Sequence, residues 1–118
     1  MNSVNIIGRL AKDVELIEEG GLRAKFTLAV NKPNSKEVSF VDCITFGEKA
    51  RNIKKYRKKG DRVGISGYIN ISTYMNNAGL WTKSTSIVAQ YLSFLDGVQG
   101  NNTLNEEIKD FEENLDII

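Results

Sequence analysis

The chain has 118 residues, 41% hydrophobic and 26% charged, with a formal net charge of +1, the balance of one ordinary globular domain. No apolar run reaches the ~18–20 residues of a membrane-spanning helix. With no histidine and one cysteine, the chain lacks the commonest general base and zinc ligand, and has no internal disulfide or multi-cysteine metal site. A binding protein is therefore expected rather than an enzyme, with no catalytic residue, cofactor or metal. No secretory signal opens the chain, so the cytoplasm is the expected compartment.

Residues 2–10 read as a strand, with Val4, Ile6, Gly8 and Leu10 on one face and Asn5, Ile7 and Arg9 on the other. A weaker stretch, residues 14–18, continues it past a bend. Glu19-Gly20-Gly21 is a hairpin turn. Residues 22–31 alternate well: Ala24, Phe26, Leu28 and Val30 face one way, with Phe26 assigned to the core. A loop around Pro33 leads to a third strand, residues 37–46, rich in Val, Ile, Thr and Phe. Cys43 reads as a small buried hydrophobe within it. Gly47 ends that strand, and residues 48–59 read as a helix with a stripe of Ala50, Ile53 and Tyr56 facing the barrel end and Gly60 as its C′ residue. Residues 61–74 and 80–95 are the fourth and fifth strands. Residues 96–102 are a linker. Five antiparallel strands with one helix between the third and fourth is the order of an all-β OB-fold barrel, here followed by an acidic C-terminal tail. An open α+β sheet has the same element order, and periodicity does not separate the two.

Charge divides the chain. Residues 1–95 carry 15 Lys+Arg against 8 Asp+Glu, a net of +7, whereas residues 96–118 carry one against 7, a net of −6. The basic body suits a polyanion, and the acidic end suits a protein partner or self-shielding. Unpaired bases stack on any aromatic ring at ~1–3 kcal/mol each. Phe40, Tyr74 and Trp81 stand among polar neighbours and are the rings expected to stack; for Phe46, core packing and stacking are equally good readings. Lys58 and Lys59 end the densest basic run, which serves either a solvated helix terminus or phosphate attraction. Arg9, Lys25, Lys49 and Lys83 are further phosphate candidates, as are Arg23, Lys32 and Arg62.

The segment MNSVNIIGRLAKDVEL resembles the opening of the bacterial and phage-type single-stranded-DNA-binding proteins, AKFTLAVN their second strand, and FVDCITFGEKARNIKKYRKKGDRVGISGYI their third strand, helix and fourth strand. The resemblance runs through residues 1–95. It implies an OB-fold domain over 1–95 that binds single-stranded DNA without sequence preference, usually as a homotetramer, in replication, recombination or repair. It also implies stacking by Phe40, Phe46 and Tyr74, with Arg9, Lys58 and Lys59 at common basic positions. The chain departs from the pattern in four places: Glu48 replaces a lysine, Val14 replaces a proline, Asn70 and Ser72 stand where basic residues are usual, and the loop at 31–36 is short and without an aromatic.

Residues 96–118 are read as linker and tail. Phe111, Leu115, Asp116, Ile117 and Ile118 are the expected partner-docking residues. Leu104, Ile108, Phe111, Leu115 and Ile118 also fall on one stripe of a helix that Thr103 and Glu106 would cap. Two other functions fit the same chain: an OB-fold adaptor acting mainly through protein contacts, and a specialised primosome, plasmid or phage relative.

Overall fold

Alternation builds the strands, and the burial of alternate residues bends them into a ring. A computed structural model describes residues 1–95; the linker and the tail residues named above lie outside them. The elements are β1 (Val4–Leu10), β2 (Glu15–Ile17), β3 (Arg23–Asn31), β4 (Val38–Phe46), α1 (Glu48–Tyr56), β5 (Arg62–Met75) and β6 (Trp81–Phe94). In β3 every second side chain points inward, so Ala24, Phe26 and Leu28 are fully buried. They meet Leu10, Cys43, Val63, Ile65 and Ile87 in one core.

The sheet closes on itself. β1 pairs with β5, β5 with β6, β6 with β4, β4 with β3, and β3 returns to β1 at Arg9↔Ala29 and Leu10↔Leu28. Ring closure removes the open α+β alternative. β2 resumes the line of β1 along β3, pairing Glu15↔Lys25 through Ile17↔Arg23. The two are halves of one bent strand, as residues 14–18 suggested, so the helix lies between the third and fourth strands of the ring. Among the described residues no helix is long and apolar enough to cross a membrane.

Two joints of the ring depart from regular antiparallel pairing. β4 and β6 are joined by only two parallel pairs, Cys43↔Ile87 and Ile44↔Val88. Beside them the buried Thr45 hydroxyl donates to Ala89 O at 2.9 Å. Second, β5 and β6 change register between Ser66 and Gly67, where Ser66 opposes Tyr91 but Gly67 opposes Ala89. Gln90 is the extra residue of this bulge.

α1 begins where Gly47, at φ 68°, turns the chain out of β4. Ala50 and Ile53 are buried against the barrel. The helix is shorter than its sequence suggests. Arg57 is extended, at φ −123° and ψ 142°, and its guanidinium lies 4.9 Å from the centre of the Phe94 ring. Arg57 therefore takes the place at the barrel end expected of Tyr56, which is 53% exposed. Lys58 and Lys59 fall in the turn that follows, and their N–H groups donate to Asp61 Oδ2 (2.8 Å) and Asp13 Oδ1 (3.1 Å). Gly60 belongs to that turn rather than to the helix end.

Cys43 is buried, as expected, and desolvation pushes its thiol up to about 12, with the charge of Asp42 adding to the rise. The attacking species is the thiolate, so Cys43 is expected to resist alkylation at pH 8 in the native protein and to react on addition of denaturant, as counted by mass spectrometry. The unfolded thiol ionises from about 9.0. This group's contribution to stability is thus whole below pH 9 and is lost as pH rises towards 12.

Candidate nucleic-acid interface

The inward row of β4 is Val41, Cys43 and Thr45, which forces Phe40, Asp42, Ile44 and Phe46 outward. Phe40 and Phe46 are 70% and 49% exposed. Leaving such rings in water forgoes roughly 1.5–3 kcal/mol of burial each, so a surface that keeps several is suited to contact.

β3 supplies the charge. Residues opposite each other across an antiparallel pair project on the same side. The register therefore sets Arg23 beside Phe46, Lys25 beside Ile44, Thr27 beside Asp42 and Ala29 beside Phe40. Arg23 is held in place: its Nη1 donates to Glu19 O at 2.9 Å and Gly21 O at 3.1 Å. The Thr27 hydroxyl donates to Asp42 Oδ1 at 3.0 Å. One row continues past Ala29 to Arg9 and Arg62. Arg9 Nη1 donates to Gly60 O at 3.0 Å, which ties it to the turn carrying Lys58 and Lys59. Those two lysines stand a helix length, roughly 13 Å, from the start of α1. Lys49, in the first turn, lines a recess with Phe46. The basic residues thus form two groups, one with Phe46 and one around Arg9.

On β5 the outward row after the bulge is Tyr68, Asn70, Ser72 and Tyr74, opposite Val88, Ser86, Ser84 and Thr82. Val88 in turn neighbours Ile44 in the ring, since Ile44 pairs with it. Tyr74 therefore belongs to the same outer surface as Phe40 and Phe46. Trp81 and Lys83 do not: they oppose Met75 and Thr73, on the other side of the β5–β6 hairpin, with Ile71. Strand alternation excludes Trp81 from the Tyr74 side, although it is 73% exposed.

Two outward rings, Tyr68 and Tyr91, are not among those expected to stack. Tyr68 lies an even step from Tyr74 with no irregularity between them, so alternation was a sufficient signal. Tyr91 is exposed because of the bulge at Gln90, which no spacing announced.

Comparison with known proteins extends the geometry. The model of the single-strand binding protein family matches residues 1–95, the same stretch that folds into the ring. The chain is similar to a single-stranded DNA-binding protein of Halalkalibacterium halodurans, 37% identical over 103 residues, which cover 81% of this chain and 61% of the relative. It is also similar to single-stranded DNA-binding protein 3 of Listeria innocua, 36% identical with 89% and 72% covered. A third relative is a single-stranded DNA-binding protein of Clostridium perfringens, 38% identical with 86% and 73% covered.

Proposed function

The chain belongs to the single-strand binding protein family, and from that premise we propose that it binds and protects single-stranded DNA without reading its sequence, in replication, recombination or repair. The observation that carries the reading is the outer face of β3 and β4, where exposed Phe40 and Phe46 stand in register with Ala29 and Arg23, and Lys25 lies between. Rings accept the π-face of any base, and cations accept the backbone. Neither distinguishes one base from another.

In this reading residues 1–95 are an OB-fold domain, which the five-stranded ring with its single helix supports. Phe40, Phe46 and Tyr74 stack bases; Arg9, Lys25, Lys49, Lys58 and Lys59 meet phosphates. Trp81 and Lys83 serve a strand that passes round the hairpin tip. Residues 96–118 are a linker and an acidic tail that recruits replication or repair proteins in the cytoplasm through Phe111, Leu115, Asp116, Ile117 and Ile118. A homotetramer is the assembly proposed. Among the described residues the first half of β1 pairs only with β5, and its other edge suits a second copy.

The test is titration with oligothymidylate of about 35 nucleotides, at least about twice the ~4–16 one OB barrel covers, against duplex of equal length. Preference for the single strand is expected, with log K falling steeply against log salt. Lys25→Ala should flatten that slope by about 0.7, one phosphate contact on a single strand. Equal affinity for the duplex would defeat the proposal.

A further inference from the structure

The bulge between β5 and β6 builds a site that neither the family match nor the row of stacking rings accounts for. Side chains of a regular strand alternate, but an extra residue puts two consecutive side chains on one side. Ala89 is buried inside the barrel, whereas Gln90 and Tyr91 both face outward. With Phe46, Lys49, Tyr68 and Val88 they line an open recess of about 410 Å³. The bulge is fixed by Gly67, because a Cβ there would stand 1.8 Å from Val88 O.

The recess differs from the rest of the face in chemistry. Around Phe40 and Phe46 the register sets Ala29 and Arg23, with Lys25 beside Ile44 and the Asp42 carboxylate held by Thr27 between them. Here an amide stands among rings. A glutamine side chain offers one acceptor and two donors in a plane, and its bidentate match among the bases is the N6/N7 edge of adenine. Tyr68 and Phe46 supply π-faces on which a base can stack, and Lys49 lines the same recess with a cation suited to a phosphate. The recess continues the proposed interface through Phe46, so a strand lying on β4 reaches it without a gap.

We propose that this recess is a nucleobase subsite that prefers adenine: one unpaired base stacks on Tyr68 and is read along its N6/N7 edge by the Gln90 amide. The protein then carries one position of base preference within a binding mode otherwise indifferent to sequence. The inference rests on the single-strand reading above and adds a discriminating contact to it.

The experiment uses the full chain and oligothymidylates short enough for one barrel, about 8–16 nucleotides, with adenine replacing thymine at each position in turn. At the position that reaches the recess, affinity should rise at least about five-fold, the low end for one bidentate amide–adenine pair. 7-Deazaadenine at that position keeps the ring but lacks the N7 acceptor, and should lose the gain. Gln90→Leu should bind oligothymidylate like the wild type and lose the gain with adenine; Tyr68→Ala should weaken both strands. Affinity indifferent to adenine at every position overturns the inference, as does a gain that survives Gln90→Leu. A changed assembly mass in Gln90→Leu with adenine preference intact would make the recess a contact between copies and overturn it too. Failure of the wild type to bind plain oligothymidylate would instead overturn the parent reading.

Discussion

Replacing Phe40, Phe46 and Tyr74 together by alanine removes tight binding of oligothymidylate and leaves the barrel folded. At the low end of ~1 kcal/mol per stacked base the three rings contribute about 3 kcal/mol, over 100-fold in affinity. The single losses need not add, because a strand released from one ring is held less well by the next. The fold survives because the three rings are exposed, Phe46 and Tyr74 at 49% and Phe40 at 70%, and lie outside the core cluster. The measurement is fluorescence anisotropy of an end-labelled oligothymidylate at moderate salt, with thermal melting followed by circular dichroism as the control. A triple variant that melts normally and still holds the strand at wild-type affinity would end the stacking account.

Gly67→Ala is expected to lose more stability than any other glycine-to-alanine change in the sheet. Its new methyl would meet the carbonyl oxygen of Val88 at 1.8 Å and the carbonyl carbon at 2.8 Å. These are backbone atoms of the paired strand, so no rotamer change relieves the clash. The bulge must shift, and with it the hydrogen bond from Thr45 to Ala89 and the closure between β4 and β6. A loss of about 3–5 kcal/mol follows, the range of the severe single substitutions. Gly64→Ala is the control. Its methyl would stand 3.4 Å or more from Ile7, Leu95 and Ser93, ordinary contact, and should cost less than about 1 kcal/mol. Urea denaturation of both variants decides it, and equal midpoints would show that the bulge tolerates a side chain.

Much of the barrel was legible because its signals are local. The alternation of Ala24, Phe26 and Leu28, the break at Gly47 and the turn at Gly20 each act within a few residues, and the strands formed where they pointed. Ring closure was not legible, since β3 meets β1 and β4 meets β6 through register that periodicity does not carry. The helix ends at Tyr56 rather than at Lys59 for a related reason. Arg57, Lys58 and Lys59 are good helix formers, but Arg57 packs on Phe94, far along the chain, and that contact outweighs propensity. At the interface, Phe40, Phe46 and Tyr74 fell on one surface because each lies on a strand of known phase. Trp81 was judged from its neighbours in sequence, and the hairpin register puts it on the opposite side. The recess at Gln90 had no local signature, because a bulge shows itself only when two strands are paired.

The ring resembles a hoop with a short weld between β4 and β6. β5 and β6 are stitched along thirteen residue pairs, but β4 and β6 along two, with the Thr45 latch beside them. Phe46 lies on one side of that weld and Tyr68 on the other. A strand laid from ring to ring would bridge it as a splint bridges a fracture. Such cargo would tighten its own carrier: whatever opens the hoop must first dislodge the guest, and whatever dislodges the guest leaves the hoop easier to open.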